Sequence, residues 1–220
     1  MGSDERDNLI ENLRRLQLRH AANNLDDLLR DAARLKLGHQ GFLARLVEAE
    51  VLARSETAAN RRIRQAHFPE DCRIEDFDFK AQPCLDRKQI LDLAELGFLD
   101  HSQSVLFIGP SGVGKSHLAI GLGIRACHAR YKVRYVRAYD MLRHLLASLA
   151  DDTLDDVVEE YCWPDLLIID ELGNNPIVPE HNSPPSSSSS SAAVTAAAPS
   201  FLPPTSGSTS GPQPSARLRS

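Results

Sequence analysis

The chain has 220 residues, enough for one substantial domain with appended segments, and 42% of its residues are apolar. Its net charge of −5 excludes a globally basic nucleic-acid-binding protein, so any contact with DNA must come from a local basic patch. No apolar run approaches the roughly 20 residues that span a bilayer. We therefore expect a soluble, cytoplasmic protein without a membrane partner.

The four cysteines, at positions 72, 84, 127 and 162, form no C-x-x-C pair, and the eight histidines form no ligand cluster with them. This pattern disfavours a zinc site or a disulfide framework and favours reduced thiols. The N-terminus is charged and lacks the apolar core of a signal peptide.

Residues 1–65 are predicted to form a helical N-terminal region. Leucines recur at helical spacing over 9–35, and the pattern resumes after a break at 38–41. The polar faces are rich in Arg and Glu, which is typical of a small helical bundle or of a helical arm that packs on a partner.

A basic cluster closes this helical region. It consists of Arg61, Arg62, Ile63 and Arg64, with His67 three residues further on. The cluster has the charge needed to contact DNA phosphates. A solvated helix face would have the same composition, and the residues do not decide between the two interpretations.

Residues 66–103 read as a mixed connector. A break at Phe68–Pro69 opens it, and a helical pattern returns over 86–96. Two aromatic side chains, Phe77 and Phe79, flank Asp78 in between. They either line an adenine pocket or, as is more usual for aromatics at this spacing, belong to the core.

From residue 104 the pattern becomes that of an α/β fold. The apolar run 105–108 is typical of a strand that is buried on both faces. Further elements follow in alternation: helix 115–128, strand 133–136, helices 141–149 and 154–161, and strand 166–169. This alternation predicts a parallel sheet with helices on its faces, over residues 104–173.

The turn after the first strand matches the phosphate-binding pattern G-x-x-x-x-G-K-[ST] in full. The matching residues are Gly109, Pro110, Ser111, Gly112, Val113, Gly114, Lys115 and Ser116. The glycines let the loop curl so that backbone N–H groups face phosphate oxygens, and the following helix adds its positive N-terminal end. We predict that these residues bind ATP with Mg²⁺, with Lys115 on the β- and γ-phosphates and Ser116 on the metal.

A chance match to this motif in an ordinary turn is the alternative interpretation. It is disfavoured because the motif follows an apolar strand and opens an amphipathic helix, which is the context that phosphate binding requires.

The strand 166–169 ends in two carboxylates, Asp170 and Glu171. The strand delivers them to the carboxyl edge of the sheet, beside the predicted phosphates. Asp170 is predicted to hold Mg²⁺ through water, and Glu171 to polarise the attacking water as a general base. The alternative interpretation is a buried strand whose two carboxylates only cap its end and have no role in nucleotide binding.

The composition changes after Gly173. Nine of the 13 prolines and a six-serine run fall within 174–220, and no acidic residue follows Glu180. Such a segment buries too little apolar surface to offset the entropy of ordering it, so we predict a disordered tail rich in Ser, Pro and Ala.

Several runs resemble the IstB-like transposition-helper ATPases, which belong to the AAA+ class and are close to the DnaC helicase loaders. The likeness covers about residues 5–173. It is carried by Phe68-Pro69-Glu70, Glu75-Asp76-Phe77-Asp78-Phe79, Leu85-Asp86-Arg87, the P-loop run 109–120 and the strand run 164–173. The acidic-aromatic stretch ahead of the P-loop makes the match more specific than the nucleotide motifs alone.

This resemblance implies a P-loop ATPase core preceded by a helical region for partner binding or oligomer formation. It implies a helper that assembles on double-stranded DNA with ATP, as a homo-oligomer, and stimulates the transposase of its insertion sequence. A DnaC-like loader acting on a replicative helicase is the alternative within the same fold. A non-catalytic remnant that binds a partner through its N-terminal helices is the alternative from another class.

The chain departs from the family pattern after Gly173. In such ATPases a fourth strand enters between the P-loop strand and the carboxylate strand, and later segments supply an arginine finger worth ~10³–10⁵ in rate. The Ser/Pro-rich tail is expected to supply neither, which leaves ATP turnover open. The hypothesis is a truncated or frameshifted copy with an incomplete core.

Overall fold

The computed structural model describes residues 3–83, 85–172 and 191–197. Four helices form the N-terminal region: α1 Ser3–Arg15, α2 Arg19–Asn23, α3 Leu25–Arg34 and α4 His39–Gln65. The predicted helical region is therefore confirmed. The break between its helices lies before His39, because the extended Gly38 precedes α4, while Gly41 lies inside that helix.

Two small apolar clusters hold these helices together. The helical spacing of leucines and alanines puts them on facing sides of neighbouring helices. One cluster contains Leu13, Ala22 and Leu25, and the other contains Ala21, Leu28 and Leu46. Residues of α2 belong to both clusters, so this short helix joins α1 and α3 to α4.

A buried carboxylate adds a polar tie between α2 and α4. Glu50 of α4 accepts a hydrogen bond from the Ala21 amide at 3.0 Å and one from Arg54 Nε at 3.0 Å. Ala21 lies in the first turn of α2, where backbone N–H groups lack helical partners. Burial raises the pKa of Glu50, but these hydrogen bonds together outweigh it, and the pKa is lowered overall.

The end of α4 is anchored on the rest of the molecule. The Ala66 carbonyl accepts a hydrogen bond of 2.8 Å from the amide of Tyr135. The connector that follows contains a 3₁₀ turn at Ile74–Asp76 and the helices α5 Arg87–Ala94 and α6 Gly97–Asp100. Asp86 caps α5 by accepting from the Lys88 amide at 2.8 Å, which explains why that helix starts there.

The remaining elements alternate as predicted. They are β1 Val105–Gly109, α7 Lys115–His128, β2 Val133–Arg137, α8 Ala138–Ala150, α9 Leu154–Cys162, β3 Leu166–Leu172 and β4 Ser191–Ala197. The predicted α/β fold with a P-loop-type core is confirmed, and the predicted bounds of α7 agree with the observed ones.

Helix α7 is buried on two sides. Ten of its 14 residues are buried, so it is enclosed rather than amphipathic. On one side Ala119 and Ala126 belong to the cluster that contains Leu166 and Ile168 of β3. On the other side a second cluster joins Leu118 and Leu122 to Ile74, Ile90 and Ala94 of the connector. The helix therefore lies between the sheet and the connector.

The sheet order is β1-β4-β3-β2. Strands β2 and β3 are parallel, whereas β4 pairs antiparallel with both β1 and β3. The expectation that the tail has no strand to place between β1 and β3 is thus wrong for Ser191–Ala197. Backbone groups facing an empty gap would cost roughly 1–3 kcal/mol each, and an antiparallel strand satisfies them as a parallel one would. The rest of the predicted disordered tail lies outside the described residues.

Strand β1 is not buried on both faces, as its apolar sequence predicted. Leu106 is 53% exposed and Ile108 is 71% exposed, whereas Val105 and Phe107 pack with the core on the α7 side. Within the described residues, α8 packs on β2 and β3, and no helix covers this face of β1. The prediction failed because burial depends on the covering helices and not on the strand.

None of the described helices combines the length and the apolar character that crossing a bilayer requires. Cys72, Cys127 and Cys162 carry free thiols, and burial raises the pKa of Cys127 to about 11. Cys84 lies outside the described residues.

We expect Glu50→Gln to lower the free energy of unfolding by about 1 kcal/mol at neutral pH, because a charged acceptor is replaced by a neutral one. Since the pKa of Glu50 is lowered in the fold, its contribution is present above the unfolded pKa of about 4.3 and disappears as the pH falls through the folded value. Urea unfolding at several pH values measures this. The exposed Glu48→Gln is the control, and a difference that persists at about pH 3 would contradict the assignment.

Candidate functional site: a loop between β1 and α7

Residues 110–114 connect β1 to α7 by a tight loop. Two glycines in it, Gly112 with φ +82° and Gly114 with φ +88°, have left-handed backbone conformations that other residues adopt only with strain. Gly114 is the residue immediately before α7. The glycines of the motif are therefore needed where the chain turns back from the strand into the helix.

The backbone amides of this loop and of the helix start that follows it form one group of hydrogen-bond donors. Within the described residues, the amides of 111–114 have no protein acceptor. The amides in the first turn of α7 follow them, and a helix N-terminus carries a partial positive charge. The buried Lys115 adds its ammonium group, whose Nζ donates to the Pro110 carbonyl at 2.6 Å. The loop is a compact group of donors, which is what an anionic phosphate requires.

The aromatic ring of Phe77 supports the loop from the connector side. A Cβ atom built on Gly114 would lie 2.5 Å from Phe77 Cε2, so only glycine fits. The ring also meets Phe79 and His117 edge-on, with centroids 4.9 and 5.4 Å away. His117, in turn, has Nε2 2.7 Å from the Arg73 carbonyl oxygen. Connector and loop are therefore packed as one unit.

Both interpretations of the aromatic pair are compatible with this position. Phe77 and Phe79 pack against the buried cluster of the connector. They also line a cavity of about 690 Å³, together with Lys80, Arg87 and Arg125 among others. The cavity adjoins the loop because Phe77 contacts Gly114.

Asp170 lies in β3 and is 4% exposed. Its Oδ2 accepts a hydrogen bond from the Tyr135 hydroxyl at 2.9 Å, and its Oδ1 accepts one from the Glu171 amide at 2.8 Å. Burial raises the pKa of Tyr135, and the Asp170 carboxylate raises it further, so the hydroxyl stays protonated and donates. The orientation of Asp170 is thus fixed by β2.

Glu171 has a strained backbone, with φ +59°. A register shift between Ile169 and Leu172 accompanies it, so the strand bulges at the two carboxylates. The exposed Glu171 side chain has Oε1 3.9 Å from Arg137 Nε at the end of β2. Strain of this kind costs of order 1–3 kcal/mol and is concentrated at functional sites.

The sheet register puts the loop and the carboxylates at one edge. Ile108 of β1 and Leu172 of β3 both pair with Ala192 of β4. Two strand spacings place β1 and β3 about 10 Å apart. The P-loop begins one residue beyond Ile108, and Asp170 precedes Leu172 by two residues, so both predicted halves of the site lie at the carboxyl ends of parallel strands.

The donor set suits Mg²⁺. A hydroxyl from Ser116 and a carboxylate from Asp170 are hard oxygen ligands, and each oxygen of Asp170 keeps a lone pair beyond the hydrogen bond that it accepts. No cluster of three or more His, Cys, Asp or Glu side chains in the described part of the chain could hold a metal by itself.

Three contributors were missed from the sequence: Tyr135, Arg137 and the Pro110 carbonyl. The two β2 residues lie opposite Ile168 and Asp170 in the parallel pairing of β2 with β3. The sequence shows that these two residues are on the same face of β2. It does not show the register of β2 against β3, which decides which residues of β3 they contact.

The predicted basic cluster does not join this edge. Arg61, Arg64 and His67 are exposed and Arg62 is half-buried, at the end of α4. Arg62 and His67 line a different cavity with Lys132 and Arg134, where β2 begins. Since β2 and β3 run towards the P-loop edge, the cluster lies at the opposite end of the sheet.

The known proteins that are similar to this chain agree with one another in their description. The profile of the IstB-like ATP binding protein family matches residues 11–183. A protein of insertion sequence IS232 from Bacillus thuringiensis subsp. berliner, named for ATP binding, is 34% identical over 78% of this chain and 69% of its own length. The IS21 counterpart from Pseudomonas aeruginosa is 33% identical over 78% and 64%. An insertion-sequence ATP-binding protein of Mycobacterium tuberculosis is 38% identical over 72% and 63%. The chain thus spans about two thirds of these relatives.

We expect Gly114→Ala to destabilise the protein by about 1–3 kcal/mol more than Gly112→Ala does. Both changes strain a left-handed backbone, but only the Gly114 methyl group would collide with Phe77, because nothing lies within 4 Å of a Cβ at Gly112. Denaturant unfolding gives both values. Adding Phe77→Leu to Gly114→Ala should recover part of the loss, and additive costs in that pair would contradict the contact.

Proposed function

Because the chain belongs to the family of IstB-like ATP-binding proteins of insertion sequences, we propose that it binds MgATP through residues 109–116 and acts with a transposase on DNA. The proposal for nucleotide binding is carried by one observation. Four consecutive loop amides, 111–114, lack acceptors in the described protein and lie directly before the N-terminus of α7. A triphosphate would provide the missing acceptors.

Each residue of the proposed site has a physical task. The amides of 111–114 hold phosphate oxygens, and Lys115 exchanges the Pro110 carbonyl for the β- and γ-phosphates. The exchange replaces a neutral acceptor by a negatively charged one, which adds the attraction between opposite charges to the hydrogen bond. The Lys115 ammonium group therefore already lies at the loop before a phosphate binds.

Mg²⁺, when bound, would neutralise phosphate charge between Ser116 and Asp170. Tyr135 keeps the Asp170 carboxylate turned towards the sheet edge through the 2.9 Å hydrogen bond. Glu171 is the proposed general base, and its ion pair with Arg137 holds it at the same edge. No residue of the described chain is assigned as an arginine finger, so we propose nucleotide binding by this chain and leave turnover to the assembled complex.

Transposase, double-stranded DNA and further copies of this chain are the proposed partners. The relatives are named for ATP binding in insertion sequences, and a transposase is the enzyme that moves such an element. The helical N-terminal region has exposed apolar side chains along α4, including Leu43, Val47 and Val51. These leave surface for a protein partner or for another copy.

Two other functions remain as alternatives to be tested. A helicase loader would bind ATP by the same loop and differ in its protein partner. A remnant without nucleotide binding would keep only the partner surface of α1–α4. The acceptor-free amides of 111–114 favour nucleotide binding over the remnant.

We expect MgATP to raise the melting temperature, since a ligand at one hundred times its Kd adds about 2.7 kcal/mol to stability. Lys115→Ala should abolish the shift by removing the cation that holds the phosphates. Lys88→Ala, an exposed lysine outside the loop, should shift as the parent does. Glu171→Gln should keep the shift, because its proposed task is in turnover. If Lys115→Ala responds as the parent does, residues 109–116 are not the site.

We expect the transposase of the same insertion sequence, and not a replicative helicase, to be retained on the immobilised chain in the presence of MgATP. The comparison uses purified partners at equal concentration. Retention of the helicase alone would favour the loader, and retention of either partner by a chain that shows no thermal shift would favour the remnant.

A further inference from the structure

A second cavity, of about 380 Å³, lies at the opposite end of the sheet from the P-loop. Its walls come from the end of α4, the start of β2 and the residues between α9 and β3. The residues that matter for its chemistry are Arg62, His67, Lys132, Arg134, Trp163 and Pro164. We call it the Trp163 cavity.

The Trp163 cavity is positively charged. Glu160, a carboxylate in its lining, is already paired with Arg134, whose Nη1 lies 2.6 Å from Glu160 Oε1. Among the described residues, Arg62 and Lys132 have no carboxylate within ion-pairing distance. The exposed Arg61 and Arg64 lie beside Arg62 on α4 and extend the positive surface outward. In the described part of the chain, Arg62 and Lys132 are therefore cations without an ion pair, and the nearby Asp165 carboxylate accepts from the Lys132 amide rather than from its ammonium group.

The cavity also presents an exposed indole ring. Trp163 is 65% exposed, which is unusual for so large an apolar side chain. The Lys132 ammonium lies 4.1 Å from the ring centroid, a cation–π contact that places positive charge directly beside the aromatic face. Trp163 is the cap residue that follows α9, and the buried Pro164 leads into β3, so the backbone that carries the ring is held by the fold.

We propose that the Trp163 cavity binds single-stranded DNA, with an unpaired base stacked on Trp163 and phosphates held by Arg62 and Lys132. A flat aromatic platform flanked by cations is the combination that binds single strands, because every base offers a π-face and every nucleotide brings a phosphate. This inference rests on DNA being a partner in the proposed function, and it assigns the contact to a surface away from the nucleotide site.

Other classes of ligand would contact either the cations or the Trp163 ring, but not both. A duplex would satisfy Arg62 and Lys132 through its phosphates, but its bases are already stacked on one another and would leave the indole exposed. An acidic peptide would also use the cations and would leave the exposed part of the Trp163 ring uncovered. Only an unpaired nucleotide uses both the charge and the ring.

The chain has a single tryptophan, so its fluorescence reports on this cavity alone. We expect a 12-nucleotide oligothymidine, within the site size of about 4–16 nucleotides, to quench it at low salt, and a duplex of equal length to quench it far less. The titration is made without ATP. Lys88→Ala, an exposed lysine outside both sites, should be quenched as the parent is. Because the titration contains no ATP, a failure of this site is distinct from a failure of the P-loop.

Labelled-oligonucleotide anisotropy then measures the variants. Trp163→Leu should weaken binding about tenfold, since stacking is worth roughly 1–3 kcal/mol per base, and Trp163→Phe should restore most of it. Arg62→Glu and Lys132→Glu should each weaken binding about tenfold, and flatten its salt dependence, by removing a phosphate contact. Arg45→Glu, on the same helix but far from the cavity, should bind within about twofold of the parent.

Four results would overturn the proposal. They are an unquenched Trp163, equal binding of Trp163→Leu and the parent, stronger quenching of Trp163 by the duplex than by the single strand, and displacement of the oligonucleotide by poly-glutamate at equal charge concentration. A melting curve of each variant shows whether it is folded. If Trp163→Leu is unfolded, Trp163→Phe still tests the contribution of the indole ring.

Discussion

Enclosure of α7 on two sides is the constraint on which the nucleotide site depends. Its buried residues meet β3 on one side and the connector on the other. At Gly121 an added Cβ would lie 2.7 Å from Ile74, and at Gly123 it would lie 2.7 Å from Ile168, so the helix approaches both layers as closely as backbone allows. The P-loop is the N-terminal continuation of this helix, and its donors are positioned because α7 has no room to shift.

The parallel pairing of β2 with β3 organises the other half of the site. It brings Tyr135 and Arg137 beside the two carboxylates, one as a hydrogen-bond donor to Asp170 and the other as an ion-pair partner of Glu171. The two adjacent carboxylates have different environments, since Asp170 is buried and fixed while Glu171 is exposed, and the strand bulges where they lie. A regular strand would also point them to opposite faces, but it would keep the strand straight and leave the backbone at Glu171 without its left-handed turn.

The sequence predicted the positions of the helices and strands that depend on local spacing of apolar residues and glycines. The apolar run before the glycine-rich turn, and the helical spacing after it, located β1 and α7, and the bounds of α7 agreed with the prediction. Its burial did not, because the expected amphipathic helix is enclosed on two sides. Long-range packing decided the rest. The exposure of Leu106 and Ile108 depends on which helices reach β1, and the choice of Phe77 as the ring against Gly114 depends on how the connector folds back. The antiparallel β4 follows from unpaired backbone in the gap between β1 and β3, which overrode the composition of its own segment.

One short strand joins the two surfaces to which binding is assigned. Lys132, immediately before β2, and Arg134, near its start, lie at the cavity of Trp163, and Tyr135 and Arg137 lie further along the strand, beside Asp170 and Glu171. A strand of five residues spans about 16 Å. On one side β2 pairs with β3, and on the other side the amide of its central residue, Tyr135, donates to the Ala66 carbonyl. A ligand at the Trp163 cavity would therefore lie at the start of the same strand whose later residues orient Asp170 and pair with Glu171.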